Sequence, residues 1–548
     1  MKKLGVLVLA MVLVFALVAC ASEEAATPVQ DGNGASGGTE TQNEPQNPAQ
    51  DEEQATTQGD VPQVLTIGEN VDLGGYDPNR DMSPFIRFLI FDSLVELGYN
   101  FEQVPALATD WNMSDDGMTW TFNLRQGVNF HDGEPWNSEA ARINFQHRID
   151  RGAAGFYRAI ESMDTPDDYT FIVNLSEPIF TFASDVSVPT HGMVSPLAYN
   201  DAHEVTAAIG TGPFMLESWT RDVEFTMVPN SDFFGGAPRL EQLRFVVIPD
   251  GNTRAMALES GEIDMMSGRG ALTALERLRT LDNIQIISTM SQTSEHVMIN
   301  TFDETLSDLN VRRAIAAAID FPTTVTALLP DLAEPAVNFF SPAFGRFVDP
   351  NFTLPQHDPQ AAAEYLREAG FELGADGIYQ RDGNRLSLEI LVYSRNEENN
   401  ALVVVMQEQL RAAGIELVIT LIDAAAITER VSTAGRDFQM AMRGQYSIPT
   451  DDPSIHYGTF FSSRGMTEMF SSPELDEKID RMFHSLDEQE RLMLHQELQR
   501  DITSQIPVIM MFHRNSIILA NENLANFTLS TGTWQIYKGL TQAYMIGG

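Results

Sequence analysis

The chain has 548 residues, which is more than a single hydrophobic core usually serves, so its length predicts two or three folded units. Hydrophobic residues make up 43% of it and its formal net charge is −43, an acidic balance that argues against binding to nucleic-acid phosphates. Its single cysteine excludes an intramolecular disulfide framework and any cysteine-cluster metal site.

The first predicted element is an export signal at 1–19. Lys2 and Lys3 precede an apolar stretch at 4–19, which is shorter than the roughly 20 residues of a membrane-spanning helix and typical of a signal core. The stretch ends in LVAC at 17–20, which resembles the bacterial lipoprotein box. We therefore expect Cys20 to be lipidated and to hold the chain on the outer face of a cell membrane. The alternative is an ordinary secretory signal with an incidental cysteine.

Residues 20–62 are predicted to be the lipidated cysteine followed by a disordered acidic linker. From 21 to 62 the chain has no basic and no aromatic residue. Such a segment cannot bury enough apolar surface to offset its ordering entropy. We expect it to be a tether, so that the protein contacts the membrane through its lipid anchor only.

The next part of the chain is predicted to be rich in strands. A strand at 64–67 is followed by a helix at 84–97 and by a strand at 118–124, in which Trp120, Phe122 and Leu124 face one side. A helix at 137–149 comes next. Further short strands are predicted at 169–175, 225–228 and 243–248.

The second half is predicted to be an α/β layer that returns to strands at its end. The predicted helices lie at 310–319, 358–369, 399–413, 473–485 and 487–503. The predicted strands lie at 415–422 and 438–442, with a pair at 508–512 and 517–520. This order suits two lobes in which the C-terminus returns to the first lobe.

Several ordered sequence blocks are specific enough to indicate a family. They are PALATDW at 105–111, DGMTWTFNLR at 116–125, GVNFHDGEP at 127–135, GTGPF at 210–214, IPD at 248–250, GEID at 261–264 and VRRAI at 311–315. Together they resemble the bacterial extracellular solute-binding proteins of family 5, the peptide and nickel receptors of ABC importers. The sequences of these blocks most resemble those of the nickel-binding branch.

This resemblance implies an α/β fold of two lobes, of the class II periplasmic-binding-protein type, with mixed sheets in both lobes and a ligand cleft between them. It places lobe I at 63–295 plus 505–548 and lobe II at 296–504. It implies an extracytoplasmic receptor, not an enzyme, that closes on a small ligand and delivers it to an ABC permease and its ATPase. We expect a monomer without a cofactor.

The residues do not decide between a peptide and a nickel or other metal chelate. Peptide receptors of the family carry an aspartate three residues after the position of Tyr446, and here that position is Pro449. An ammonium group without a carboxylate partner is costly to bury, which disfavours the usual mode of peptide binding. The nickel branch uses an arginine where this chain has Thr190. Both ligand classes have thus lost an anchor.

Four residues are predicted to contact the ligand, namely Tyr76, His191, Arg443 and Tyr446. Tyr446 would stack on the ligand, Arg443 would neutralise a carboxylate, and His191 would donate to an anion when protonated or bind a metal when neutral. For His191 the alternative is a loop residue without a role, and for Arg443 it is a structural ion pair. No protein metal site is predicted.

Two other function classes remain as alternatives. A sensory or adhesive surface receptor could use the same scaffold without transport. An extracytoplasmic hydrolase is disfavoured, because the chain has no GxSxG motif outside the predicted disordered linker, no P-loop and no cysteine left for catalysis.

Overall fold

The computed structural model describes residues 61–84, 86–153, 155–268, 272–394, 396–446, 450–532 and 535–547. The predicted signal at 1–19, Cys20 and the linker up to residue 60 lie outside the described residues. Across the described part of the chain, no helix is both long enough and apolar enough to cross a bilayer.

Strands occur along the whole of the described chain. They are β1 Val64–Glu69, β2 Val95–Leu97, β3 Gln103–Pro105, β4 Ala108–Met113, β5 Thr119–Leu124, β6 Ile160–Asp167, β7 Thr170–Leu175, β8 Phe214–Thr220, β9 Glu224–Pro229, β10 Gln242–Val247, β11 Met265–Ser267, β12 Ile284–Ile299, β13 Ala333–Pro335, β14 Glu372–Leu373, β15 Tyr379–Arg381, β16 Asn384–Arg385, β17 Ser387–Tyr393, β18 Glu416–Ile422, β19 Met440–Tyr446, β20 Val508–Asn521, β21 Leu524–Ala525 and β22 Tyr544–Met545.

Helices concentrate in the second half of the chain. They are α1 Arg87–Ile90, α2 Ser138–Asp150, α3 Phe182–Val186, α4 Gly251–Ser260, α5 Leu272–Leu278, α6 Leu309–Ala318, α7 Phe321–Leu328, α8 Pro359–Glu368, α9 Glu397–Ala412, α10 Ala424–Val431, α11 Ile455–Phe460, α12 Pro473–His484 and α13 Glu488–Gln505. The predicted helices that correspond to α2, α6, α8, α9, α12 and α13 are confirmed.

Side-chain caps explain where several of these helices begin. Asn137 accepts a hydrogen bond from the Ala140 amide at the start of α2, and Asp358 accepts from the amides of Gln360 and Ala361 at the start of α8. Each cap satisfies amide groups that the first helical turn leaves unpaired.

A large mixed sheet joins the two halves of the molecule. Its order is β18-β17-β19-β12-β20-β11-β1-β10-β9-β8. The two longest strands, β12 and β20, lie at its centre and pair with each other along their length. The pairing shifts register between Met290 and Ser294 and again between Glu295 and His296. The strands beyond β12 come from the predicted lobe II, and those beyond β20 come from the predicted lobe I.

A separate four-stranded antiparallel sheet, in the order β4-β5-β7-β6, forms the second layer of the N-terminal half. In β5 the side chains of Trp120, Phe122 and Leu124 are buried, as the alternating pattern predicts. They pack with α2 and α3 in one hydrophobic cluster. This sheet holds the loops that carry the site described below.

Of the predicted helix at 84–97, only the single turn at Arg87–Ile90 is confirmed. Helix α1 ends at Ile90, because Phe91 adopts an extended conformation, and β2 then pairs with β3. Leu89 and Ile90 pack into one hydrophobic cluster, whereas Leu94 and Val95 pack into another. The chain must extend to pass from one cluster to the other, so tertiary packing overrides helical propensity.

The predicted strand pair at 508–512 and 517–520 is also wrong. The structure has one continuous strand, β20, in which the polar residues between the two apolar runs are not a turn. The side chain of His513 lies 2.9 Å from the hydroxyl of Ser294, and Arg514 pairs with Glu295, so β12 supplies partners for both.

Candidate ligand-binding site

The candidate cleft lies where strand β19 leaves the sheet and the chain reaches across to the other half of the molecule. The backbone of Tyr446, the last residue of β19, lies opposite Ser294 at the register shift of β12. Shortly after it, Asp451 accepts hydrogen bonds from the Ser184 hydroxyl and, at 3.0 Å, from Nε2 of Gln103. Ser184 and Gln103 belong to the predicted lobe I, so the two halves meet here.

His191 lies in a short 3₁₀ turn at Pro189–His191 that follows α3, the helix that carries Ser184. Its Nδ1 is 2.9 Å from the hydroxyl oxygen of Tyr157, and its ring packs 5.2 Å from that of Phe156. Burial, together with the positive charges of Arg148 and Arg87, lowers the pKa of His191 to about 3. The imidazole is therefore neutral at physiological pH, and Nε2 is the ring nitrogen that Tyr157 leaves open.

The positive charge beside His191 comes from two buried arginines. Arg148, at the end of α2, is 6% exposed, and its Nη2 donates to the carbonyl of Gly192. Its Nη1 is buried without a hydrogen-bond partner in the described part of the chain. Arg87 donates from Nε to the Met82 carbonyl at 2.9 Å, and burial lowers its pKa to about 10. A buried guanidinium N–H without an acceptor is costly, and a bound anion would satisfy it.

Arg148 also lines a cavity of about 240 Å³, which we call the arginine pocket. Its lining includes Arg80, Arg148, Arg151, His147, His203, Asp77 and Asn79. The lining contains three guanidinium groups but one carboxylate, that of Asp77. This carboxylate lies 3.9 Å from Nη1 of Arg151. The side chain of Asn79 donates to the carbonyl of Thr190 at 3.5 Å, which links the pocket to the turn that carries His191. In a chain of strongly negative charge, this pocket concentrates positive charge.

The register shift of β12 carries a buried ionic cluster. Arg514 donates to Glu295 at 3.1 Å and to Glu398, at the start of α9, at 3.3 Å. Burial raises the pKa of Glu295 to about 7 despite this pairing. The second carboxylate oxygen of Glu295 and the side-chain amide of Gln292 have no hydrogen-bond partner within the described residues. The strands that join the two halves therefore present unsatisfied polar groups next to Tyr446.

The four residues predicted from sequence have different outcomes. His191 lies beside the arginine pocket. Tyr76 packs edge to face against Trp219 at 5.4 Å, within the hydrophobic packing of lobe I. For Arg443 and Tyr446 the structure describes only the backbone, which follows β19 to the register shift of β12. All four ligand contacts remain predictions.

Sequence reasoning missed Arg148, although a signal was present. Ala141, Phe145 and Arg148 recur at the spacing of one helical face in α2, and the first two are buried. An arginine on the buried face of a helix needs a partner, so its position on that face indicates a functional or structural acceptor.

No group of three or more His, Cys, Asp or Glu side chains that could hold a metal ion occurs in the described ranges.

Comparison with known proteins identifies the scaffold. Residues 102–468 match the family model for bacterial extracellular solute-binding proteins, family 5 Middle. The nickel-binding periplasmic protein of Escherichia coli K12 is 25% identical over 488 residues, covering 85% of this chain and 92% of that protein. The glutathione-binding protein GsiB of Salmonella typhi is 26% identical over 501 residues, covering 86% and 92%.

The structural comparison agrees with the sequence comparison. NikA from Brucella suis, crystallised in complex with Fe(III)-EDTA, superposes with a TM-score of 0.81 at 24% identity and covers 88% of this chain and 99% of that one. The predicted two-lobed α/β fold with mixed sheets is thereby confirmed. The lobe boundaries at 295/296 and 504/505 remain predictions.

Proposed function

Because the chain belongs to the bacterial extracellular solute-binding proteins of family 5, we propose that it captures a small solute with carboxylate groups between its lobes. The solute would be a short peptide or a metal chelate, and the receptor would deliver it to an ABC permease. This proposal assigns binding, not catalysis, to the site.

The observation that carries the ligand class is the unpartnered Nη1 of Arg148. It lies on a buried guanidinium beside a neutral histidine, next to a pocket with two further arginines. Arginine matches the planar geometry of a carboxylate with two parallel N–H donors, and such charge-assisted bonds are about twice as strong as neutral ones. A carboxylate would satisfy this donor with a charge-assisted hydrogen bond, whereas a neutral oxygen would accept only a weaker one.

The ligands named for the similar proteins fit this chemistry. Glutathione and EDTA both carry carboxylates, and both would bring negative charge to an arginine-lined wall. The aspartate that pairs with a peptide ammonium in peptide receptors is replaced here by Pro449. A ligand held mainly through its carboxylates, such as a metal chelate or an acidic peptide, agrees best with this combination.

We also propose that the mature protein is tethered to the membrane by lipid at Cys20. The support is the LVAC motif directly after an apolar signal core, together with the acidic linker that follows it. Labelled palmitate should appear on the purified protein and should be lost in Cys20→Ser. Labelling that persists in Cys20→Ser would contradict the anchor.

Arg148→Gln tests the proposed ligand class. Small molecules that remain on gently purified protein are first identified by mass spectrometry with metal analysis, and glutathione and a nickel–histidine chelate are then titrated as probes. Loss of a charge-assisted hydrogen bond costs ~1.5–3 kcal/mol, so we expect affinity for a bound carboxylate probe to fall at least tenfold.

Arg464→Gln is the matched control, because Arg464 is an exposed arginine paired with Asp480 in lobe II. It should leave affinity unchanged. Should Arg148→Gln fail to fold, Arg80→Gln removes a more exposed arginine of the same pocket. Carboxylate probes that bind wild type and both pocket variants equally well would exclude the arginine pocket from ligand binding.

A further inference from the structure

A second cavity lies within lobe I and shares no lining residue with the arginine pocket. Its volume is about 210 Å³, and it is lined by residues around α1, by the loop after β9 and by the C-terminal segment. Five aromatic rings surround it, those of Phe88, Phe91, Tyr99, Phe233 and Phe234. We call it the aromatic cavity.

The polar groups of the aromatic cavity include two carboxylates and one lysine. Lys538 lies 3.1 Å from Glu96 and pairs with it. Asp92, 1% exposed, accepts a hydrogen bond from the Thr211 hydroxyl at 2.6 Å, and no ion pair joins it to a basic side chain in the part of the chain that the structure describes. Burial, and secondly the charge of Glu96, raises the pKa of Asp92. If both carboxyl groups of the cavity were ionised, Lys538 would balance only one of them.

An independent feature of the lining is an unsatisfied acceptor. Gln535 is 4% exposed, and its Oε1 has no hydrogen-bond partner within the described ranges. A buried carbonyl oxygen that accepts no hydrogen bond carries a desolvation penalty that an N–H donor would remove. The lining thus contains an acceptor without a donor as well as a carboxyl group without a basic partner.

We propose that the aromatic cavity binds a small primary alkylammonium compound. Its ammonium group would donate to Gln535 Oε1 and to Asp92, and its alkyl chain would lie among the rings. Aromatic faces attract desolvated cations, which adds to the attraction of the carboxylate. A cavity of about 150 Å³ holds benzene, so this one has room for a chain of roughly four or five carbons.

Binding would be coupled to release of protons. Burial raises the pKa of Asp92 and an arriving ammonium favours the carboxylate, so a proton held on Asp92 passes to solvent as the ion pair forms. The charged groups that face Asp92 are Glu96 and Lys538, and Tyr99 lies beside them. The site is independent of the solute cleft, because Arg148 takes no part in it.

Calorimetric titration of the full protein with butylammonium chloride tests the proposal. Butylammonium should bind, 1-butanol should bind at least tenfold more weakly because it lacks the charge, and tetramethylammonium should also be weaker because it has no N–H. Titration in two buffers of different ionisation enthalpy should report a net release of protons on binding.

Variants locate the bound ammonium. Asp92→Asn and Gln535→Leu should each weaken butylammonium binding at least tenfold, and Asp282→Asn, which removes an exposed acid outside the cavity, should not change it. If Asp92→Asn does not fold, Gln535→Leu carries the test. The proposal is overturned if butylammonium does not bind, if both cavity variants bind it normally, or if Arg148→Gln abolishes binding that Asp92→Asn leaves intact.

Discussion

At the scale of single residues, a buried ion pair forms in the loop that follows β19. Arg491 on α13 pairs with Asp452, and both side chains are almost fully buried. Burial opposes the charged form of Asp452, but His495, Arg491 and Ser454 together lower its pKa well below the usual range. The guanidinium of Arg491 also lies 4.5 Å from the ring of Phe180 in lobe I. The pair therefore stabilises lobe II and supports its contact with lobe I.

Asp452→Asn should destabilise the protein by about 3–5 kcal/mol, because it leaves a buried guanidinium without its counter-charge. Since the pKa of Asp452 is lowered by folding, the stability it contributes is complete above the usual carboxyl pKa of ~3.9 and is lost as the pH falls further. Urea unfolding at pH 7 measures the change.

The exposed pair of Arg464 and Asp480 provides the comparison for this prediction. Asp480→Asn should cost less than about 1 kcal/mol, as surface ion pairs usually do. If Asp452→Asn and Asp480→Asn lower the free energy of unfolding equally, burial does not increase the stabilisation that the Asp452 pair provides.

Residue types alone could not have located these charges. The sequence places Asp451 and Asp452 in a loop and Arg491 on a helix, and only the packing of α13 against that loop brings Asp452 and Arg491 together. His191 could be singled out by its position in the family pattern, but its neutral state follows from burial and from Arg148 and Arg87, which local sequence does not reveal.

At the scale of elements, prediction succeeded where the pattern is local. Strand β5 alternates apolar and polar residues, and α2 and α8 begin at capping side chains, so short-range rules suffice for them. Prediction failed for 84–97 and for the strand pair at the C-terminus. Within 84–97 the chain passes from one hydrophobic cluster to another, which ends the helix. In β20 the polar residues resemble a turn in the sequence, but their hydrogen-bond and ion-pair partners lie on the distant strand β12.

The hairpin between β4 and β5 offers a test of lobe contact. Gly117 has φ of +72°, and a Cβ there would lie 2.7 Å from the side chain of Leu486 in lobe II. Gly117→Ala should therefore displace the Leu486 side chain and weaken this contact between the lobes, in addition to the ~1 kcal/mol of strain that a left-handed alanine carries. We expect a larger radius of gyration in solution scattering than for wild type.

Gly127→Ala separates backbone strain from lobe contact. Gly127 has nearly the same φ, +73°, but a Cβ there would meet nothing within 4 Å. It should lower stability by a similar strain and leave the radius of gyration unchanged. If both variants have the radius of gyration of wild type, Gly117 has no part in holding the lobes together.

At the scale of the whole molecule, the two-lobed fold could be predicted because the ordered sequence blocks span both halves and match one family. The large sheet itself could not be predicted, since β12 and β20 are joined by pairing across more than 200 residues. The ligand could not be predicted either. The resemblance implies a ligand-binding arginine at the position of Thr190 and a ligand-binding aspartate at that of Pro449, and the sequence does not show which residues replace them.

Acidic side chains from both lobes make their contact sensitive to pH. Asp185 on α3 is half-buried and interacts with Asp451, Asp452 and Arg491 of lobe II, and Thr181 donates to it at 3.0 Å. Burial, with the charges of Asp452 and Asp451, raises the pKa of Asp185 to about 7, and burial also raises that of Asp451. If lobe contact creates this burial, the closed form holds protons that the open form releases.

The closed form should therefore be favoured as the pH falls below 7 and disfavoured as it rises, by up to tenfold per pH unit while Asp185 is protonated only when closed. Solution scattering at pH 5.5 and 8.0 should give a larger radius of gyration at the higher pH. Asp185→Asn cannot ionise at this position and should show a smaller change of radius of gyration between the two pH values, because only Asp451 then responds, whereas Asp282→Asn, an exposed acid, should respond like wild type. Wild type that is equally compact at both values would mean that Asp185 is buried within lobe I alone and does not report closure.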